Sequence, residues 1–548
     1  MWLGFRKRAV AYSVGVLFFL LWSSGLGVVP LFDWDEVNFA ECAREMRQTG
    51  EYLYAQIGFL PFWEKPPLFF WVQALSMSIW GENAFAARFP NAVISLFTLL
   101  TLYEVGRRWH GHAFGLAWLF LHGVSLLPSF YARSGLIDPL FNLFMLWALL
   151  AGTAALSAAS FWYGVLYGLF AGLATLTKGP VGLLLPSLAI LTLSLWQKRL
   201  SALLQLALGG ALPYIGLVGG WIILLYLQGT GNLLKEFWAY QWRLFSTPDA
   251  GHKGPWYYHL VVLSVGMFPA AWWAFGARRL NALPIGGWAL LMLTGWTILI
   301  FSIVQTKILH YSSLAYYGIS YLGAWTWMER RSWVQKHGWL AVGVGSLLLG
   351  IVTVGVGFLM AQPTLWLHLV RDPFARAALQ AKPLTWTGWE GWMGFLLLVG
   401  IGGAFVLRLG AWKRLILVGA SLIGWETLAL LSFAPRAEAY TQAPLRAFCE
   451  EKAAEKAPVW SLGFKSYIPY FYGRMAPEFS PRLTGGMESF QSLLLSGAVP
   501  FPVYFVSRVE RYQGFVEKYG LEVIGREGGY VFLRGNPMRL EARGGKRE

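Results

Sequence analysis

Apolar runs of about 20 residues recur along most of this chain, and a run of that length matches the hydrocarbon thickness of a bilayer when helical. The runs are continuous rather than alternating, so they fit spanning helices and not the two-faced strands of a barrel. With 56% hydrophobic and only 13% charged residues over 548 positions, the chain is too apolar for a soluble fold. The expected fold is an α-helical polytopic membrane protein with about thirteen spans. The segments are 9–30, 84–106, 113–128, 136–158, 161–177, 179–196, 203–227, 256–276, 283–303, 308–327, 338–361, 390–408 and 414–433.

Basic residues then orient the bundle, because Lys and Arg in short loops stay cytoplasmic. Arg6, Lys7 and Arg8, Arg107 and Arg108, Lys198 and Arg199, Arg278 and Arg279, Arg330, Arg331 and Lys336, and Arg408, Lys413 and Arg414 fall at every second junction. The amino terminus is therefore expected inside, and the first large loop and the tail outside. The net charge of +16 is accounted for by this signalling and needs no nucleic-acid partner. The first apolar run is too long for a typical signal-peptide core and is expected to remain as an anchor.

The expected division is a membrane domain over 1–435, whose outer loop 31–83 carries the chemistry, and an extracytoplasmic α/β domain over 436–548. The loop is too long for a simple connector and rich in aromatics and charge. Asp33 and Glu36 have capping-box spacing, which predicts a short interfacial helix on the membrane surface. Pro66 and Pro67 are expected to hold Glu64 and Lys65 extended ahead of an aromatic stretch. A second outer loop, from Gln228 to about Trp256, interleaves aromatics with bases. In the tail, β-like runs at Val459–Leu462 and Val503–Ser507 precede a helical stretch from Arg508 to Tyr519, then a hairpin-like pair, Leu521–Ile524 and Tyr530–Leu533. Cys42 and Cys449 both lie on the expected outer side, as free thiols or as a disulfide, with no spacing that favours pairing. Internal repeats, Gly-rich phosphate signatures and paired-cysteine metal spacing do not occur, which argues against nucleotide-driven transport.

The series Asp35, Glu36, Phe39, Ala40, Glu41, Ala43, Arg44, Glu45, Met46, ending in Glu64, Lys65, Pro66, Pro67, Leu68, resembles the first outer loop of the aminoarabinose transferase (ArnT) and protein O-mannosyltransferase superfamily. These are GT-C-type glycosyltransferases that use polyprenyl-phosphate sugars. The thirteen-span layout with an outer tail domain, the stretch His252 to Tyr258, and Lys307 with Tyr311 carry the same resemblance. It implies a bacterial inner-membrane enzyme that moves a sugar from a polyprenyl-phosphate donor, held at the membrane lipid, to an unknown outer acceptor. Where the aminoarabinose enzymes have Arg and Tyr after the acidic pair, this chain has Asn38 and Phe39, and it lacks the proline-rich turn after Lys307. The donor sugar is thereby left open, and a lipid A acceptor is not expected.

Such a transfer needs a carboxylate at the acceptor and cations at the departing phosphate. The resemblance implies Asp35, with Glu36 beside it, as the catalytic carboxylates. If the acceptor is itself a phosphate, Asp35 orients rather than deprotonates it, and the bland alternative is that both acids only complement a helix N-terminus. Glu64 and His252 are implied as ligands of a divalent metal (Zn, Mg or Mn), although two ligands are too few for a closed site; a Glu64–Lys65 pair and an exposed histidine are the alternatives. Lys65, Arg243, Lys253 and Lys307 are candidates for the donor phosphate, or else cations at anionic lipid. Arg133 and Asp138, like Lys178, sit at outer span ends where charge is costly, and they either line the substrate pocket or pair with each other. Tyr311 resembles a family tyrosine near the sugar, or is a belt residue. A transporter or a noncatalytic envelope-assembly protein is the competing class; a transporter would place its polar groups at the bilayer midplane.

Overall fold

The computed structural model describes residues 2–158, 160–247, 253–329, 331–381 and 384–535. Seven helices among them are long and apolar enough to cross a membrane: Ala84–His110, Asp138–Ala158, Leu200–Leu227, Ile285–Ile303, Lys336–Ala361, Trp389–Val406 and Ala411–Thr441. Other expected spans fall on helices such as Trp2–Ser23, Phe161–Lys178 and Val181–Trp196, or on broken pairs such as His112–Gly123 with Leu126–Tyr131. Length and composition thus mark seven crossings, and the remaining expected segments fall on other helices, several of them shorter or interrupted.

Local chemistry sets the helix ends. Asn83 caps Ala84–His110 by accepting the Ala86 N–H at 2.9 Å, and Pro139 follows Asp138 in the first turn of Asp138–Ala158, where a missing N–H costs nothing. Small residues set the packing. A Cβ built on Gly168 would lie 2.0 Å from the Gly210 carbonyl oxygen, so the helices through these glycines touch backbone to backbone. Leu204, Leu208 and Leu212 on the second of these helices are exposed, as suits a face turned to lipid.

The helix directions sort the charges. Ala84–His110 runs from Arg88 at one end to Arg107 and Arg108 at the other. Asp138–Ala158 starts, and Phe161–Lys178 finishes, at the Arg88 end, while Arg8 approaches Glu104 at the opposite end. One end of the bundle is basic, and the other carries paired acids and bases.

Over that second end lies a four-stranded sheet in the order β3-β4-β6-β5, formed by β3 (Val459–Leu462), β4 (Tyr504–Arg508), β5 (Glu522–Glu527) and β6 (Tyr530–Arg534). β3 and β4 are parallel, with Val459 opposite Tyr504. β6 is antiparallel to both β4 and β5. The helix Tyr512–Tyr519 lies between β4 and β5 in sequence.

The first loop differs from expectation. Its helix, Asp35–Thr49, buries every residue from Glu36 to Met46 within the protein. Val37, Phe39 and Met46 share one hydrophobic core with Trp460, Phe490 and Val531 of the tail, so of the two partners open to this face, lipid or protein, it packs against protein. Glu41 and Arg44, buried in this core, form a forked pair at 2.6 and 2.7 Å, and Arg44 also donates to the Met475 carbonyl at 2.9 Å. The capping box does not form either: Trp34, with φ of 73°, precedes the helix without a side-chain cap, and Asp33 accepts the N–H groups of Trp34 and Tyr467 instead.

A hairpin not expected from sequence follows, with β1 (Ala55–Ile57) paired to β2 (Leu60–Phe62). Its two-residue turn, Gly58 and Phe59, has φ of 62° and 58°, the left-handed pair that a tight hairpin turn requires. Glu45 accepts both turn N–H groups, at 2.7 and 2.8 Å. Burial, and then neighbouring Glu41, push the Glu45 carboxyl well above its ordinary value.

Candidate active site

Glu36 fixes the geometry of the loop. Its two oxygens receive Arg88 Nε at 2.9 Å and Nη2 at 2.6 Å, Gly135 N–H at 2.7 Å and Phe32 N–H at 3.1 Å. Arg88 also donates to the carbonyls of Leu26, Val29 and Pro30. Burial alone would raise the Glu36 carboxyl, but Arg88 overcomes it and the net shift is downward. Paired so fully, Glu36 has the contacts of an anchor rather than of a group that reaches substrate, contrary to its expected place beside Asp35.

Asp35 is the opposite case. It is half-buried at the first turn of its helix and lines a cavity of about 920 Å³; among the described residues its carboxylate makes no hydrogen bond or ion pair. The Glu36–Arg88 knot on one side and the stitched Asp33 on the other hold it there. Burial, first of all, raises the Asp33 carboxyl, against hydrogen bonds from Ser466, Tyr467 and Trp34.

The cavity joins residues from many elements, including Glu64, Arg133, Tyr240, Arg243, His310 and Lys465. Tyr240, on the helix Leu233–Ser246, donates to Glu64 at 3.1 Å, and Lys65 Nζ and the Arg243 guanidinium lie 5.2 and 5.1 Å from its ring centre. This is cation–π geometry. Burial, ahead of all other causes, pushes the Lys65 ammonium below its ordinary value, against the pull of Glu64 and Asp35. An anion arriving there would be met by a poorly solvated cation, and such a contact is stronger than one in water.

Asp138 pairs with Lys178, not with Arg133. Arg133 turns instead toward Glu426, at 3.7 Å, and Thr427, at 2.5 Å, because the helix Ala411–Thr441 brings an acid to it that the sequence does not mark as a neighbour. Lys178 Nζ lies 5.5 Å from the Tyr311 ring centre, so Tyr311 joins the Asp138 pair.

Lys307 is not at the cavity wall. Its ammonium donates to the carbonyls of Phe301, Ser302 and Val304 at 2.9, 2.7 and 2.7 Å, closing the C-terminal end of Ile285–Ile303. That satisfies orphan carbonyls and complements the helix dipole, so a phosphate role is replaced by a structural one. Lys253 is exposed and does not line the cavity. His252 lies outside the described residues. Among those described, no group of three or more His, Cys, Asp or Glu could hold a metal ion; of the expected pair of ligands, Glu64 alone is described, and it lines the cavity. Cys42 and Cys449 are free and buried.

Four contributors were not expected from sequence: Arg88, Glu426, His310 and Lys465. The first two carried a signal, since a charge inside an apolar run demands a partner. Lys465 carried none; its ammonium sits 5.6 Å from the Trp34 ring and 5.0 Å from that of Tyr467.

An α-helical multi-pass membrane protein with an acidic and basic cavity at one bundle end, under a small α/β cap, is the class that these features define. Residues 64–225 match the family described as dolichyl-phosphate-mannose-protein mannosyltransferase. The undecaprenyl phosphate-alpha-4-amino-4-deoxy-L-arabinose arabinosyl transferase of Pectobacterium carotovorum is 29% identical over 369 residues, covering 63% of this chain and 65% of that one. The enzyme of the same description from Pseudomonas fluorescens Pf0-1, numbered 2, is 27% identical over 378 residues, or 66% and 68%. The chain thus spans just under two thirds of the first relative's length. The crystal structure of ArnT from Cupriavidus metallidurans bound to undecaprenyl phosphate superposes with a TM-score of 0.75 at 20% identity, over 97% of this chain and 98% of that one. In sequence over part of its length, and in fold over nearly all of it, the chain is thus similar to the aminoarabinose transferases, and residues 64–225 are similar to the protein mannosyltransferase family.

Proposed function

We propose that this protein is a membrane glycosyltransferase that moves a sugar from a polyprenyl-phosphate donor to an extracytoplasmic acceptor, which is a lipid, a glycan or a protein. The observation that carries this is an unengaged carboxylate, Asp35, in one cavity with the Arg243 guanidinium, beside the poorly solvated ammonium of Lys65, which shares the Tyr240 ring with Arg243. Asp35 faces the acceptor and accepts its proton or orients it, while Lys65 and Arg243 take the charge that grows on the departing phosphate. Arg133 lines another part of the wall, while the Asp138–Lys178 pair, with Tyr311 against Lys178, lies outside the lining. No step is routed through a metal.

The cell setting is the bacterial cytoplasmic membrane, with the basic bundle end and the amino terminus inside and the cavity and cap in the periplasm. A transporter is disfavoured because the polar groups gather at one bundle end rather than midway along the helices. A noncatalytic assembly protein makes the opposite prediction to an enzyme. Membranes given radiolabelled polyprenyl-phosphate sugars should label an acceptor with the wild type, and about 10²–10⁴-fold more slowly with Asp35→Asn. Full activity in a well-expressed Asp35→Asn protein would remove Asp35 from the chemistry, and no transfer by the wild type from any such donor would remove the function.

A further inference from the structure

His310 is the only imidazole among the described residues that line the cavity. It sits in the one-turn-tight helix Leu309–Ala315, directly after the Lys307 cap that ends Ile285–Ile303. The Lys307 cap therefore sets where the chain turns and where His310 is presented. Five charged or titratable groups from five separate segments are near enough to interact with it electrostatically: Asp35 from the first loop helix, Lys65 from the loop beyond the hairpin, Asp138 and Lys178 from the two adjoining helices, and His259 from Tyr258–Gly266. Asp35 is on the acceptor side, and Lys65 and Lys178 are on the side proposed for the phosphate. His310 shares the cavity wall with Asp35 and with Arg243, and Asp138 is already tied to Lys178.

The chemistry of the proposed reaction has a matching gap. A polyprenyl-phosphate sugar is a phosphodiester with one negative charge, and the departing monoester has a second ionisation near pH 6. An acceptor hydroxyl must lose a proton in the same event. An imidazole, with an ordinary value near 6.5, is matched to both.

We propose, resting on the function above, that His310 carries the acceptor proton from Asp35 to the departing phosphate. The acceptor oxygen bonds to the anomeric carbon as the bond from that carbon to the phosphate oxygen breaks, and the electron pair stays on phosphate. The acceptor proton passes to Asp35, then to His310, and ends on the phosphate monoester. No further reactant is needed. Burial first, and the two lysines with it, hold the imidazole toward its neutral form, against Asp138 and Asp35, which leaves it able to receive a proton and pass it on.

The test uses the full chain in detergent and undecaprenyl phosphate, the product common to every sugar. Calorimetry in two buffers of unlike ionisation heat measures proton uptake on binding between about pH 5.5 and 7.5. The wild type should show uptake beyond that of the phosphate itself, and His310→Asn should lose most of it while binding within about threefold of wild type. In transfer assays the same variant should lower kcat about 10²-fold at near-constant donor KM, with part of the loss restored by added imidazole. His310→Gln is the second variant where Asn fails to fold. Equal proton uptake in variant and wild type, none in the wild type at any pH, or a change confined to KM each overturns the relay. Absence of wild-type sugar transfer overturns the function instead, and the calorimetry still decides on His310.

Discussion

Removing the Glu36 carboxylate should cost the fold far more than removing its neighbour at position 35. Glu36 accepts four hydrogen bonds, two of them from a buried guanidinium. Breaking one half of a buried ion pair costs about 3–5 kcal/mol, because the surviving charge is stranded. Arg88 keeps three backbone carbonyls, which places this case at the low end, about 3 kcal/mol. A double-mutant cycle of Glu36→Gln, Arg88→Met and the double variant, read by unfolding in detergent, should return a coupling energy of about that size. The pH dependence follows from the sign of the shift. The folded carboxyl lies below its ordinary value, so its stabilisation is complete above the unfolded value of about 4.3 and is lost as pH falls through the folded one. Glu36→Gln should flatten that acid limb. A coupling under about 0.5 kcal/mol, the scale of independent sites, would refute the view that this pair holds the catalytic loop.

Two further outcomes separate structure from chemistry. Lys307→Met should lower stability by about 1.5–3 kcal/mol, the scale of charge-assisted hydrogen bonds, with undecaprenyl phosphate binding unchanged once stability is matched; a specific loss of binding would return Lys307 to the phosphate. At the other wall, Glu426→Leu alone should destabilise by stranding Arg133, while Glu426→Leu with Arg133→Met should recover most of the loss in thermal unfolding. A double variant no better than the single would show that the pair does not act as a unit.

The outline of the tail was legible because its strands are short runs rich in Val, Phe and Tyr. Val459–Leu462 was read to the residue, and the Tyr530 strand to within one. The β1–β2 hairpin was missed because Phe59 occupies a left-handed position that local propensity assigns to Gly or Asn, and a distant carboxylate, Glu45, makes the turn possible. Asp35, Glu64 and Lys65 could be picked out because loops that carry acids beside membrane spans are informative by themselves. Partner choice was not legible. Arg133 sits five positions from Asp138, yet it takes Glu426, some 290 residues on, since helix packing and not sequence spacing decides which charges meet. The same packing turned Lys307 inward to its own helix end.

The stitches between the first loop and the cap bear on when the protein becomes competent. Leu31 and Asp33 are tied to Gln442, Tyr467 and Tyr472, partners 409 to 441 residues later in the chain. The loop that presents Asp35 therefore leaves the ribosome hundreds of residues before the groups that fix it. Synthesis at about 5–20 residues per second makes that an interval of tens of seconds. Until the cap arrives, the carboxylate proposed to act on substrate has no fixed address, so on that proposal assembly itself withholds activity from an unfinished chain.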